Sequence, residues 1–460
     1  MRRLRLGLVI LIALAMIAPA TAALAAPEGD NYLDPAYAQK DLTNMVQSMG
    51  RLVGELTDPV WLARFNLKAN QTFLKYLLEQ LRDPTHPSLT LGFLIPGGMV
   101  GNVDYWPTYE AWLKQGRVKE VRFRRSTGAL IRGHVWRPSF AEAGPFPAIT
   151  ITPGSVQATE PMYWWAAELL AEAGYVVLTF DAQGQGRSET FGHKDDGKES
   201  ITLDGVPFQQ AVNFHDLTIE AIEFLLATPA AKLRYRFSGD EAAGYDVFDP
   251  FWSAIQYLGD GFANVGLAGH SFGASGVTFA QDPKINTLNV KNVRTIVAWD
   301  NLSPDYTPNV PAMAQNGESF VQPSFNPSRP DPESKKLAFD KWRDAGIDTF
   351  QLATRAATHL EWSFVPMLPF GASTWGNAIV AYYTLAWFDK YLKHDPTADA
   401  RLLTKAFNEP NNANCGGNDN CYSIYYKNAY WFHDSTAALH SCDDVAHIAA
   451  PAEACPDTDP

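Results

Sequence analysis

Between Val118 and Leu392 the sequence alternates short apolar runs with stretches of helical period. The apolar runs FPAITITPG, YVVLTF, NVGLAG and VRTIVAW show no polar alternation, so they predict strands that are buried on both faces. MYWWAAELLAEAG and VNFHDLTIEAIEFLLATP carry apolar residues at helical spacing, which predicts helices between them. Strands that alternate with helices of this length favour an α/β protein with a mostly parallel central sheet flanked by helices.

The segments on either side of this region have a different character. Residues 26–113 show helical periodicity in LTNMVQSMGRLVGEL and FLKYLLEQL, which predicts an N-terminal helical extension. Residues 397–460 contain all the cysteines and predict a C-terminal tail with disulfides. The predicted α/β domain therefore spans residues 114–396.

The first 25 residues have the three parts of an export signal. MRRLRL is basic, Leu6 to Ala18 are apolar, and two small-x-small triplets end at Ala22 and Ala25. The apolar run is shorter than the ~20 residues of a membrane-spanning helix. We therefore expect cleavage near Ala25, secretion, and no integral membrane association.

The cysteines form two local pairs in the sequence. An even number of cysteines in an exported chain favours disulfides. Cys415–Cys421 and Cys442–Cys455 are the favoured pairs because each closes a short loop. A zinc site is the less favoured alternative, since no two cysteines have the two- to four-residue spacing of such sites.

The stretch GHSFG, residues 269–273, lies between a predicted strand and the predicted helix GASGVTFA. A serine in G-x-S-x-G at such a turn is typical of a nucleophile, because the turn strains the serine and exposes its side chain. Gly269 and Gly273 make the turn sterically possible, and the helix N-terminus at Ser271 favours developing negative charge. The alternative is a glycine-rich turn in which Ser271 only caps the helix.

Five motifs together resemble the α/β-hydrolases. They are TPGSVQ after one strand, DAQGQGRS after the next, GHSFG, a late TH, and the closing AYYTLAWFDKYL. The region from Val118 to Leu392 is most similar to the secreted esterase, cutinase-like polyesterase and dienelactone-hydrolase-like branches. The resemblance implies an α/β-hydrolase fold and a serine hydrolase of the lipase or esterase type. Such an enzyme cleaves carboxylic esters through an acyl-enzyme and needs no metal or organic cofactor.

The resemblance also implies a base and an acid. The base follows the last strand, where RAATH ends in His359. The usual place of the acid, about three residues after the glycine of VPAMAQNG, is occupied by Phe320, which cannot orient an imidazole. Asp300, at the end of TIVAWD, is the favoured acid because some lipase-like members carry it there. Glu318 is the alternative, and Asp305 is a more distant third candidate. A turn-capping role for Asp300 is the competing interpretation.

Two backbone groups and three aromatic side chains complete the predicted site. The resemblance places the oxyanion-binding N–H groups on Phe272 and on Ser155, the residue after Pro-Gly. Trp164, Trp299 and Trp362 are predicted to line an apolar acyl or aryl pocket. Ordinary core packing is the alternative for all three.

The composition narrows the class of partner. A net charge of −13 and a pI of about 5.2 disfavour nucleic acid as a partner, which leaves a small-molecule, lipid or polymeric ester as the expected substrate.

DAQGQGRSE contains only the start of a G-x-G-x-x-G motif, because Glu189 stands at the position of the third glycine, so we interpret it as a structural turn beside the site. There are two rival functions. One is an acyltransferase on the same scaffold, and the other is a non-catalytic binding protein, which is suggested by Phe320 at the usual place of the acid.

Overall fold

The computed structural model describes residue 59 and residues 106–155, 158, 160–186, 188–189, 192–193, 199–200, 211–228, 254–284, 290–300, 305–317, 336–354, 357, 359–363, 374–403 and 426–445. The predicted export signal and nearly all of the predicted N-terminal extension lie outside these residues. Glu318, Cys415, Cys421 and Cys455 also lie outside them.

Ten strands of the described chain form one sheet, and two short strands form a separate hairpin. In chain order the strands are β1 (Val118–Arg124), β2 (Leu130–Trp136), β3 (Ala148–Thr152), β4 (Val176–Phe180), β5 (Gly192–His193), β6 (Glu199–Ser200), β7 (Val265–His270), β8 (Val293–Trp299), β9 (Ala312–Gly317), β10 (Thr349–Thr354), β11 (Tyr426–His433) and β12 (Leu439–Val445).

The middle of the large sheet is parallel and its two edges are antiparallel. The strand order is β1-β2-β4-β3-β7-β8-β9-β10-β11-β12. Strands β4, β3, β7, β8, β9 and β10 run in one direction. Strands β1 and β2 at one edge, and β11 and β12 at the other, pair antiparallel with their neighbours. The mostly parallel sheet that the sequence predicts is confirmed.

Helices cover both faces of this sheet. They are α1 (Trp106–Lys114), α2 (Trp164–Glu172), α3 (Val212–Leu226), α4 (Phe272–Phe279), α5 (Leu337–Asp344), α6 (Thr374–Phe388) and α7 (Ala398–Leu403). A π-helical turn, Asp389–Lys393, continues α6. Within the described parts of the chain, no helix combines the length and the apolar character that crossing a bilayer requires.

The alternation of side chains along each strand divides the core into two clusters. Every residue of β3 is buried. Ile149 and Ile151 join side chains of α1, α2 and α6 in one cluster, whereas Ala148 joins side chains of α3, α4 and α5 in the other. Because successive residues of a strand point to opposite faces, an apolar strand such as AITIT needs helices on both sides.

The carboxyl ends of the parallel strands place the candidate site. Ser155 follows β3, Ser271 follows β7, Asp300 follows β8, and His359 follows β10. Parallel strands end at the same edge of a sheet, and open α/β sheets bind ligands outside these carboxyl ends. Residues that are far apart in the sequence therefore meet at one edge.

Two strands of the sheet, β11 and β12, lie beyond residue 396, where the sequence places the predicted domain boundary. Strand β11 pairs with β10 along Thr349 to Leu352, and Tyr430 stacks on Phe350 with ring centroids 6.0 Å apart. Without β11, the edge of β10 would expose unpaired backbone groups. Cys442 lies on β12. Both predicted disulfide pairs stay predictions, because Cys415, Cys421 and Cys455 lie outside the described residues.

Candidate active site

Ser271 lies in a sharp turn between β7 and α4. Its φ of 57° and ψ of −119° are strained for a residue with a side chain. A Cβ at Gly269 would lie 2.2 Å from the carbonyl oxygen of Gly273, and one at Gly273 would lie 2.2 Å from that of Thr152. Both positions therefore exclude larger residues. Ser271 makes no capping hydrogen bond from its side chain, so the simple N-cap alternative does not describe it.

The Ser271 hydroxyl belongs to a chain of three side chains. Ser271 Oγ lies 2.8 Å from Nε2 of His359, and Nδ1 of His359 is hydrogen-bonded to Oδ2 of Asp300. Asp300 is fully buried and His359 is 8% exposed. An ionised carboxylate only accepts hydrogen bonds, so it holds the proton of His359 on Nδ1 and leaves Nε2 able to accept the serine proton.

The strand next to Asp300 supplies hydrogen bonds to its carboxylate. The N–H of Gly317, at the end of β9, donates to Asp300 Oδ1 at 3.1 Å. Asn316 Nδ2 lies 3.5 Å from the same oxygen, and Gln351 donates in turn to Asn316 Oδ1. The end of β9 thus binds a carboxylate that comes from β8. Glu318, the alternative acid, lies outside the described residues.

Backbone strain is concentrated at this site. Four non-glycine residues of the described chain have a positive φ, and two of them are Ser271 and Asp300, with φ of 57° and 48°. The backbone N–H of Ser271 donates to the carbonyl of Trp299 at 3.0 Å, so the two strained turns are tied to each other. Strain of this kind costs of order 1–3 kcal/mol per residue and is typical of functional sites.

The loop after β3 lies directly against Ser271. A Cβ on Gly154 would lie 3.2 Å from the Cβ of Ser271. The N–H of Gly154 donates to Tyr163 Oη at 2.9 Å and is therefore already bonded, and Ser155, the predicted donor, is the next residue along this loop. Phe272 is the first residue of α4, where N–H groups have no partner inside the helix. Both predicted oxyanion donors therefore flank Ser271.

The three tryptophans predicted to line a pocket are core residues instead. Trp299 and Trp362 are fully buried and Trp164 is 8% exposed. Their indoles pack within the cluster on the α2 and α6 side of the sheet. Trp299 donates to Thr384 Oγ1 at 3.2 Å, and Trp362 donates to Gln315 Oε1 at 3.0 Å. The core-packing alternative describes them, because all three are buried members of this hydrophobic cluster.

Sequence reasoning missed three buried residues around the Ser271 turn. His270 contacts Tyr163 and the backbone of His359, and Gln185 donates to the carbonyl of Gly154 at 2.9 Å. Burial, together with the nearby His359, lowers the pKa of His270 to about 3. The only available signal was the place of Gln185 in the turn DAQGQGRS, which does lie beside the site.

The chemistry of the site is that of a general base and a hydroxyl. Within the described residues, no group of three or more histidine, cysteine, aspartate or glutamate side chains could hold a metal ion. Ser271, His359 and Asp300 have the mutual geometry by which a serine is activated for attack on a carbonyl carbon.

Comparisons with known proteins give matches among solved structures. No protein-family model and no curated protein matches the sequence. A ferulic acid esterase from Streptomyces cinnamoneus matches with a TM-score of 0.38 and 16% identity, over 60% of this chain and 89% of the esterase. A dienelactone hydrolase from Anabaena variabilis matches with a TM-score of 0.37 and 15% identity, over 60% of this chain and 99% of the hydrolase.

Three features of the chain itself identify its fold. A mostly parallel sheet, helices on both faces, and a strained strand-to-helix turn at the serine of G-x-S-x-G occur together in this structure. This chain therefore has the α/β-hydrolase fold that its sequence motifs resemble.

Proposed function

We propose that this protein is a secreted serine hydrolase of the lipase or esterase type, which cleaves carboxylic esters. The observation that carries the proposal is the chain of hydrogen bonds from Ser271 through His359 to Asp300, with the serine on a strained turn. Secretion is proposed from the export signal that the sequence predicts in the first 25 residues. A small-molecule, lipid or polymeric ester is the proposed substrate.

The first half of the reaction transfers the acyl group to the enzyme. Ser271 Oγ attacks the ester carbonyl carbon while His359 Nε2 takes the hydroxyl proton. Asp300 holds the imidazole and stabilises the imidazolium. The N–H groups of Phe272 and Ser155 bind the oxyanion of the tetrahedral intermediate. Collapse of the intermediate breaks the bond to the alcohol, which leaves with the proton of His359.

The second half regenerates the serine. A water molecule gives a proton to His359 Nε2 and attacks the acyl carbon of the ester on Ser271. The second tetrahedral intermediate then releases the carboxylic acid, and Ser271 Oγ recovers its proton from the imidazolium. The sum is ester plus water to acid plus alcohol, and it needs no other reactant.

Hydrolysis of p-nitrophenyl esters of graded chain length tests the proposal. The mature protein is expected to release p-nitrophenol, and Ser271→Ala is expected to abolish the release without unfolding the protein. Turnover that survives in Ser271→Ala would contradict the proposal. The chain length with the highest kcat/KM would then begin to define the substrate.

The same assay separates the rival functions. An acyltransferase would form a new ester when an alcohol is added, at the expense of the free acid. A non-catalytic binding protein would release no p-nitrophenol. Phe320 at the usual place of the acid favours that rival, whereas the hydrogen bond from His359 to Asp300 supports the hydrolase.

A further inference from the structure

A line of buried hydrogen bonds joins the loop after β3 to the segment that carries His359. The backbone N–H of Gly154 donates to Tyr163 Oη at 2.9 Å. The same oxygen lies 2.8 Å from Nδ1 of His270. At the other side of the ring, His270 Nε2 lies 2.7 Å from the carbonyl oxygen of His359. Tyr163 and His270 are 1% and 2% exposed, so water hardly competes for these bonds.

The direction of each hydrogen bond follows from the two ends of the line. The carbonyl of His359 only accepts, so Nε2 of His270 carries the proton and Nδ1 accepts. Tyr163 therefore donates its hydroxyl proton to Nδ1 and accepts from the N–H of Gly154. Burial lowers the pKa of His270 to about 3 and raises that of Tyr163. Both side chains therefore stay neutral near pH 7, and the line keeps one orientation.

The line ends on the peptide before an oxyanion donor. The carbonyl of Gly154 and the N–H of Ser155 belong to the same planar peptide unit and point in opposite directions. Gln185 Nε2 donates to that carbonyl at 2.9 Å, while Tyr163 binds the N–H of Gly154. Gly154 is thus held on both sides, which sets the direction of the Ser155 N–H.

The other end of the line fixes the base. His270 immediately precedes Ser271 in the chain, and it donates to the backbone of the residue that supplies the imidazole. The ring centroids of His270 and His359 are 4.8 Å apart. His270 is therefore the backbone neighbour of Ser271, and its side chain contacts both the carbonyl of His359 and Tyr163, which binds the loop after β3.

Building on the ester hydrolysis proposed above, we propose that Tyr163 and His270 are positioning residues that hold the oxyanion loop and the base-bearing segment in a fixed relation to Ser271. Neither side chain touches the reacting atoms in this assignment. Small displacements at such sites matter, because a shift of about 1 Å in catalytic geometry can lower a rate about 100-fold.

Tyr163→Phe tests the proposal because it removes one hydroxyl and keeps the ring. It leaves the N–H of Gly154 and Nδ1 of His270 without their partner. With p-nitrophenyl esters we expect kcat to fall about 10- to 100-fold, with KM within about threefold of the wild-type value. The loss falls on kcat because positioning of the donor and the base matters most in the transition state.

Tyr175→Phe is the matched control. Tyr175 is also fully buried, and its hydroxyl donates to Asp389 Oδ1 at 2.7 Å. It precedes β4 and therefore lies at the opposite end of the sheet from Ser271. We expect its loss to lower the unfolding midpoint while kcat stays within about twofold. A fall in kcat for Tyr163→Phe no larger than that for Tyr175→Phe would overturn the proposal.

A double-mutant cycle separates one connected line from two packing effects. His270→Gln keeps an N–H near the position of Nε2 but loses the acceptor at Nδ1, so it breaks the same link as Tyr163→Phe. The double variant is expected to stay within about threefold of the slower single variant. Multiplication of the two losses would contradict a shared link.

A spectroscopic measurement tests the line without relying on activity. If the wild-type protein cleaves no ester, the proposed function fails, and the geometry is still tested by the nitrogen-15 resonances of His270. His270→Gln identifies these resonances by their disappearance. Protonated Nε2 with unprotonated Nδ1 between about pH 5 and pH 8 supports the assignment. Protonation of Nδ1 in that range overturns it.

Discussion

The turn before α4 and the first turn of that helix each place a serine against a histidine. Ser271 Oγ lies 2.8 Å from Nε2 of His359, and Ser275 Oγ lies 2.9 Å from Nε2 of His215. His359 is bonded through Nδ1 to Asp300. For His215, no hydrogen bond to Nδ1 is found within the described residues. Two nearly identical distances thus belong to two different environments.

The backbone and the solvent exposure also differ between the two pairs. Ser275 is helical and 7% exposed, whereas Ser271 has a strained backbone and lies beside the loop after β3. The imidazole of His215 stacks on Phe279 with ring centroids 4.5 Å apart. Burial lowers the pKa of His215 to about 4, so this imidazole is a poor proton acceptor near pH 7.

A Ser–His hydrogen bond alone therefore does not define a nucleophile. The pair at Ser271 adds a carboxylate, an exposed strained turn and two flanking N–H donors. Within the described structure, the pair at Ser275 has no carboxylate hydrogen-bonded to its imidazole and no strained serine, and its hydrogen bond joins α3 to α4. Substitutions at equivalent positions of the two pairs should therefore have very different effects.

The largest difference is expected between the two serines. Ser271→Ala should lower kcat by about 10⁵- to 10⁶-fold, the scale seen when the nucleophile of such a triad is removed. Ser275→Ala should leave kcat within about twofold and lower stability by about 1 kcal/mol, because it deletes one buried hydrogen bond. Ester turnover and urea unfolding of both variants check this. Comparable losses of kcat in the two variants would contradict the expected difference between the two serines.

The next largest effect is expected at the carboxylates. Asp300→Asn should lower kcat by about 10⁴-fold, because the amide no longer holds the His359 proton on Nδ1. Asp305, whose charge acts on His215, provides the control, and Asp305→Asn should leave kcat within about twofold. The pH–rate profiles of both variants measure this. Full activity of Asp300→Asn would exclude Asp300 as the acid and would favour the alternative, Glu318.

The smallest effect is a pH dependence of stability at His215. Its folded pKa of about 4 lies below the ordinary value of 6.5, so the unfolded chain binds the proton more readily. The free energy of unfolding should therefore fall as the pH is lowered from about 6.5 to about 4. His215→Phe keeps an aromatic ring against Phe279 and should weaken this dependence. Urea unfolding across that range measures it, and equal pH slopes in the two proteins would contradict it.

Much of the fold could be predicted because it depends on local patterns. AITIT and VVLTF are apolar throughout, so they indicated central strands, and each is fully buried. The strand at Tyr426–His433 was missed because the cysteines of the surrounding segment favoured a disulfide tail. Its place against β10 depends on pairing with residues about 80 positions earlier, which no local pattern reveals.

The site was predictable where the order of the chain determines it. Ser271 and Asp300 follow strands, so the topology brings both to one edge of the sheet. The burial of the three tryptophans was not predictable, because sequence proximity to the site does not tell which face of an element a side chain occupies. Tyr163 and Gln185 could not be found because their hydrogen bonds join segments 107 and 31 residues apart.

Labelling with a fluorophosphonate tests whether Ser271 is the nucleophile, since the reagent reacts with an activated serine and peptide mapping then identifies the labelled residue. We expect one label per chain, on Ser271, with none on Ser275 and none at all in Ser271→Ala. A label on Ser275, or no label on the folded wild-type protein, would contradict it.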